Sequence, residues 1–112
     1  MSAITTHVLD VSRGRPAQGI PVVLERANAP QAAHVSRATT DVDGRVKTFT
    51  PSLPLTPGTY RLTFEVSAYF TAAGVQTFYP RVVVEFDVRD ASQDYHVPLL
   101  LSPFGYSTYR GS

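Results

Sequence analysis

Three histidines, His7, His34 and His96, are the natural proton carriers of this chain. An imidazole with a pKa of about 6.5 takes and gives protons near neutrality. Cysteine is absent, so there is no thiol nucleophile, thiolate metal site or disulfide. Nine of the ten basic residues are arginines, and an arginine fork can donate two parallel hydrogen bonds to a planar or anionic group. Arg45 has a particular setting. It follows Asp41-Val42-Asp43-Gly44, a loop in which Asp side chains bond nearby backbone and Gly permits positive φ, so its side chain is expected on a rigid turn. The segment Tyr109-Arg110-Gly111-Ser112 is the other unusual feature. Tyr106, Thr108 and Arg110 alternate there with Ser107 and Tyr109. The strand pattern thus runs almost to Ser112 and would hold its polar groups in place.

Each of these residues also has a purely structural use. A lone strand histidine is commonly a surface residue or bonded to a backbone carbonyl, and His34, at an expected strand start, is read that way. Terminal residues usually fray, and a tag remnant could also end in Gly-Ser. Zinc is not expected, since the histidines are not at helical or short-loop ligand spacing and no carboxylate accompanies them. Calcium is not expected either, because the Asp-x-Asp-Gly segment lacks the further acidic ligands of a calcium loop. Nucleophile-elbow, phosphate-loop and dinucleotide motifs are absent. Beside these structural uses stand the functional ones: proton transfer by His7 or His96, an arginine held on a rigid turn at Arg45, and a polar tail.

Strands must position these groups, because period-2 alternation dominates. In Thr59 to Val66, Tyr60, Leu62, Phe64 and Val66 fall on one face, and Thr59, Arg61, Thr63 and Glu65 on the other. Arg81 to Val88 repeats this with Val82, Val84, Phe86 and Val88 inward and Val83 outward. Ile4 to Val11 forms the first strand, with His7 opposite Ile4, Thr6 and Val8. Ile20 to Arg26 and Val35 to Thr40 follow, with a turn at Asn28-Ala29-Pro30 between them, and Lys47 to Thr50 is expected as a short strand. Ser67 to Gly74 breaks the period and reads as a short helix, with Ser67 as N-cap and Gly74 just past its end. Tyr95 to Leu101 and Tyr106 to Arg110 form a hairpin around Ser102-Pro103-Phe104-Gly105. His96 shares a face with Pro98 and Leu100. Seven or eight short strands and one helix predict an all-β, two-sheet antiparallel sandwich.

The 112 residues fit a single domain, residues 1–112. A hydrophobic fraction of 43% and a charged fraction of 17% favour a packed core over disorder. A formal net charge of +1, with basic residues scattered singly, gives no nucleic-acid footprint. The apolar run Val97 to Leu101 is far too short to span a membrane. No basic stretch leads into a long apolar run near Met1, so the sequence reads as cytoplasmic.

Three segments together resemble the 5-hydroxyisourate hydrolases, the transthyretin-like enzymes of urate breakdown. They are Thr5-Thr6-His7-Val8-Leu9-Asp10, Thr40-Asp41-Val42-Asp43-Gly44-Arg45, and Tyr95-His96-Val97-Pro98-Leu99-Leu100-Leu101-Ser102-Pro103 with Tyr106-Ser107-Thr108-Tyr109-Arg110-Gly111-Ser112. Gly19-Ile20-Pro21, Gly58-Thr59-Tyr60 and Phe78-Tyr79-Pro80 fit between them. The resemblance covers essentially the whole chain, and Tyr-Arg-Gly-Ser is its most specific part. The family often has asparagine where this chain has Asp41, a departure that leaves Arg45 untouched.

The resemblance implies a transthyretin-like sandwich of about eight strands with a short helix, assembled as a homotetramer from two dimers with active sites where dimers meet. It implies hydrolysis of 5-hydroxyisourate to 2-oxo-4-hydroxy-4-carboxy-5-ureidoimidazoline without metal or other cofactor. His7, Arg45, His96 and Ser112 would be catalytic. His7, Arg45, Arg110 and Ser112 would bind substrate. Either histidine could be the general base, and Ser112 could act through its hydroxyl or a carboxylate. Two rivals predict otherwise. A transthyretin-like small-ligand carrier would bind without turnover. A structural sandwich module would be a monomer joined to further domains.

Overall fold

The alternation read from the sequence sets the two faces of each strand. In β1 (Ile4–Asp10), Ile4, Thr6, Val8 and Asp10 are buried while Thr5, His7 and Leu9 face outward. The computed structural model describes residues 3–27, 35–52 and 54–112. His34 and the expected turn at Asn28-Ala29-Pro30 lie outside the described residues. β1 is followed by β2 (Arg15–Pro16), β3 (Pro21–Arg26), β4 (Val35–Thr39), β5 (Arg45–Val46) and β6 (Gly58–Phe64). After the helix α1 (Ser67–Ala72) come β7 (Val82–Val88), β8 (Tyr95–Ser102) and β9 (Gly105–Thr108).

The strands form two sheets, an all-β sandwich with one short helix. One sheet runs β2-β1-β8-β9, and β5 shares the β2 edge of β1. The other runs β4-β3-β6-β7. All pairings are antiparallel except β1 with β8, which is parallel and brings Thr5 opposite His96 and His7 opposite Pro98. Val8, Ile20, Leu62, Phe64, Phe70 and Leu99 are fully buried between the sheets. Each such side chain contributes roughly 1.5–3 kcal/mol.

Two polar residues of β1 are buried with them, and both are satisfied. Thr6 donates its hydroxyl to the Val97 carbonyl at 2.6 Å. Asp10 accepts hydrogen bonds from Ser12 Oγ, the Arg13 amide and Tyr69 Oη. Burial pushes the Asp10 carboxyl up, but those hydrogen bonds together outweigh it and hold the group below the usual carboxylate range. The Tyr69 bond ties the end of β1 to the helix.

Two local expectations are corrected. The short strand expected at Lys47 to Thr50 lies earlier, at Arg45–Val46. The Asp41 turn is so tight that pairing with β1 begins as soon as the chain leaves it. Thr50 forms only an isolated bridge with Arg37. Ser67 is not the N-cap. That position is Val66, with no side-chain capping bond, and the Ser67 amide donates to the Pro80 carbonyl instead. The far end is as expected. Gly74 takes φ +71°, its amide donates to Thr71, and the Val75 amide reaches back to Phe70, a closing pattern that needs a left-handed residue.

Candidate functional site

The candidate site lies on the outer face of the β2-β1-β8-β9 sheet, where strand register makes neighbours of residues far apart in sequence. Arg45 of β5 pairs with His7 of β1, and His7 pairs with Pro98 of β8. Adjacent strands lie about 4.8 Å apart, so these three form a row across the sheet. One side-chain repeat along, Thr5 pairs with His96, and His96 bridges to Gly111.

Arg45 owes its position to the turn before it. Asp41 Oδ1 accepts the amides of Asp43 and Arg45, each at 2.9 Å. The Arg45 carbonyl accepts the Asp41 amide at 3.0 Å, and Gly44 takes φ +73°. These bonds, the Arg45 amide first, keep the Asp41 carboxyl below its ordinary range. The Gly44 carbonyl then accepts the Val8 amide at 2.7 Å, which docks the turn on β1 beside His7.

His96 is held on two sides. Its Nδ1 lies 2.8 Å from Thr5 Oγ1. Its carbonyl accepts the Gly111 amide at 2.8 Å, and the Gly111 backbone sits directly against the ring. Partial burial, then the charges of Arg45 and His7, lower the His96 pKa below the ordinary 6.5. The ring is therefore kept neutral at pH 7, the form that accepts a proton.

The tail reaches His96 because the β8–β9 register carries on past the last regular strand residue. Leu99 opposes Thr108, and His96 opposes Gly111 in the same register. The ladder lapses opposite Val97 and Pro98, the latter with no N–H to give, and resumes at His96. Thr108 Oγ1 donates to the Pro98 carbonyl at 2.7 Å. Ser112 follows Gly111 in the chain, two residues after Arg110 and with the same parity as Arg110.

Arg110 has the parity opposite to Gly111. Its guanidinium lies over the Tyr95 ring, 4.6 Å from the centroid, and Nη2 donates to Gln93 Oε1 at 2.9 Å. Tyr95 is an inward residue of β8, so Arg110 points away from the face that carries His7, Arg45 and His96. It lines a cleft of about 190 Å³ with Glu85, Phe86, Asp87, Tyr95 and His96.

The structure thus gathers His7, Arg45 and His96, while Arg110 lies over Tyr95 and donates to Gln93. Thr5 and Gly111 touch the His96 ring; Gly111 belongs to the tail segment singled out in the sequence, whereas Thr5 was not a sequence candidate. Thr5 shares the outward parity of His7, a signal present in the sequence. Its partner on a strand 91 residues away is set by tertiary pairing alone. Among the described residues no group of three potential metal-binding side chains occurs, and no helix is long and apolar enough to cross a membrane.

The HIUase/Transthyretin family model matches residues 4–111. A 5-hydroxyisourate hydrolase of Mus musculus is 44% identical, over 99% of this chain and 96% of that protein. The solved 5-hydroxyisourate hydrolase of Klebsiella pneumoniae superposes with a TM-score of 0.85 at 38% identity, covering all of both chains. Sea bream transthyretin, solved in complex with thyroxine, superposes with a TM-score of 0.83 at 26% identity, over 96% of this chain and 93% of that one.

Proposed function

The chain belongs to the HIUase/Transthyretin family, and on that premise we propose that it hydrolyses 5-hydroxyisourate in urate breakdown through the outer-face site. One observation carries the proposal beyond the family likeness. A histidine whose pKa is lowered, His96, sits beside a second histidine and an arginine on one sheet face.

In the proposed reaction a water molecule adds to the ring carbonyl carbon while a histidine takes its proton. His96 is suited to this, being kept neutral. A negative charge develops on the carbonyl oxygen, and Arg45 offers its preorganised fork to it. The ring carbon–nitrogen bond then breaks, and the leaving nitrogen receives a proton, with His7 as the second carrier. The product, 2-oxo-4-hydroxy-4-carboxy-5-ureidoimidazoline, holds the new carboxylate and the freed ureido group. Ser112, the residue after Gly111, is assigned to orienting the water. Arg110 serves by anchoring the tail on Gln93 and Tyr95.

The test follows the ultraviolet signal of freshly made 5-hydroxyisourate. Catalytic amounts of the protein should remove it far faster than buffer does. Tight binding without turnover would instead support a carrier, as in the thyroxine-bound relative.

The proposed assembly is a homotetramer. Among the described residues β7 and β9 end their sheets with unpaired edges, and open edges invite pairing with another chain. Phe78 and Phe104 are 72% and 71% exposed, and Val83 and Tyr106 are exposed as well. Light scattering should give four chains per particle, and a stable monomer at working concentration would end this part of the reading.

A further inference from the structure

We propose that Thr5 is a positioning residue for the reaction: its hydroxyl accepts Nδ1–H of His96 and, with the Gly111 backbone on the ring's other edge, holds Nε2 ready as the base. The inference rests on the hydrolase reading above.

The contacts on the ring define the geometry. Thr5 Oγ1 is 2.8 Å from Nδ1. The opposite edge, at Cδ2, meets Gly111 so closely that an added Cβ would lie 2.6 Å away. Nε2 has no partner among the described residues, yet it is not sealed from solvent. Both side-chain torsions of His96 are thus restrained, and one nitrogen is left for chemistry. Thr5 faces outward because of its parity in β1, and it meets His96 because β1 and β8 run parallel in that register.

The chemistry selects the direction of the hydrogen bond. A base acting through Nε2 carries its resting proton on Nδ1. After it takes a proton from water, both nitrogens bear N–H. A hydroxyl oxygen accepts from Nδ1–H in both states, so the ring need not turn during the reaction. A carboxylate in that place would also favour the imidazolium and oppose the lowering caused by burial, Arg45 and His7. A neutral acceptor orients the ring and leaves it neutral at rest.

The experiment compares Thr5→Val with Thr5→Ser. Valine keeps the shape and the strand preference and removes the acceptor. One net hydrogen bond corresponds to a rate loss of about threefold to tenfold. Thr5→Val should lose that in kcat, with KM within about twofold, and Thr5→Ser should recover most of it. Nitrogen-15 NMR of the His96 ring should show one tautomer, protonated at Nδ1, in the parent and in Thr5→Ser, and averaged nitrogen shifts in Thr5→Val. Unchanged kcat in Thr5→Val, equal losses in both variants, or a parent ring protonated at Nε2 would each overturn the proposal. The NMR arm does not need turnover. If the parent protein leaves 5-hydroxyisourate intact, the hydrolase reading fails while the Thr5–His96 contact is still tested.

Discussion

Gly111 packs against the Cδ2 edge of the His96 ring, with its amide 2.8 Å from the His96 carbonyl and no room for a Cβ beside Cδ2. The tail therefore shapes the histidine as well as carrying Ser112. Gly111→Ala should push either the ring or the tail away. A displacement near 1 Å costs roughly 100-fold in rate when it misplaces a reacting group. Gly111 is half-buried at the end of a largely exposed tail, so the melting temperature should stay close to the parent's. A Gly111→Ala enzyme with full activity would show that the ring position is not set from this side.

His96→Asn and His7→Asn should each lower turnover of 5-hydroxyisourate by about 100-fold or more, the usual contribution of a positioned general acid or base. Both residues are half-buried on a sheet face, so circular dichroism should show the fold unchanged. Near-normal rates in both folded variants would remove the histidines from the mechanism.

The pH dependence follows from the lowered pKa of His96. A lowered pKa keeps the imidazole neutral, hence basic, to more acidic pH. The acid limb of kcat/KM should therefore lie below the ordinary histidine value of 6.5. Replacing Arg45 with Met removes a cation that disfavours the imidazolium, so the limb should move up. It should not return fully to the ordinary value, because burial is the larger cause. The overall rate should fall as well, but the position of the limb is the diagnostic. A limb that stays in place would mean that Arg45 does not act on His96.

Arg110→Ala should loosen the tail without touching the histidine face. The guanidinium–Tyr95 contact and the Gln93 hydrogen bond would both be lost, and a cation–aromatic contact at an exposed site is worth about 0.5–1 kcal/mol. Hydrogen exchange at the Gly111 amide should accelerate and kcat should drop. If Gly111 stays protected, the anchor lies elsewhere. Removing Gly111 and Ser112 together separates the whole tail from the rest of the site, and normal turnover by that truncated protein would show that the tail takes no part.

Much of this protein is legible residue by residue. Alternation in Ile4–Asp10, Val82–Val88 and Tyr95–Ser102 matches the buried and outward positions found except at Pro98, which is buried although it shares the face of His96, because a strand facing a core on one side leaves a period-2 record. The Asp41 to Gly44 turn and the Gly74 helix end were equally readable, since their hydrogen bonds close within a few residues. Ser67 as N-cap and a strand at Lys47 to Thr50 were misread. At both points a distant contact, Pro80 for Ser67 and β1 for Arg45, decides where the element begins.

The sequence by itself determined the strand faces, the family resemblance and the parity that sets His7 and His96 outward, because these are local or directly written in residue type. Tertiary structure alone decided that β1 and β8 run parallel, which makes Thr5 a neighbour of His96. It also decided that the tail holds its register past Pro98, and that Arg110 turns to Tyr95 and Gln93 while Gly111 covers the histidine. The physical reason is that pairing between strands about ninety residues apart leaves no periodic trace in either strand. The direction and register of a strand pair exist only once both strands share a sheet.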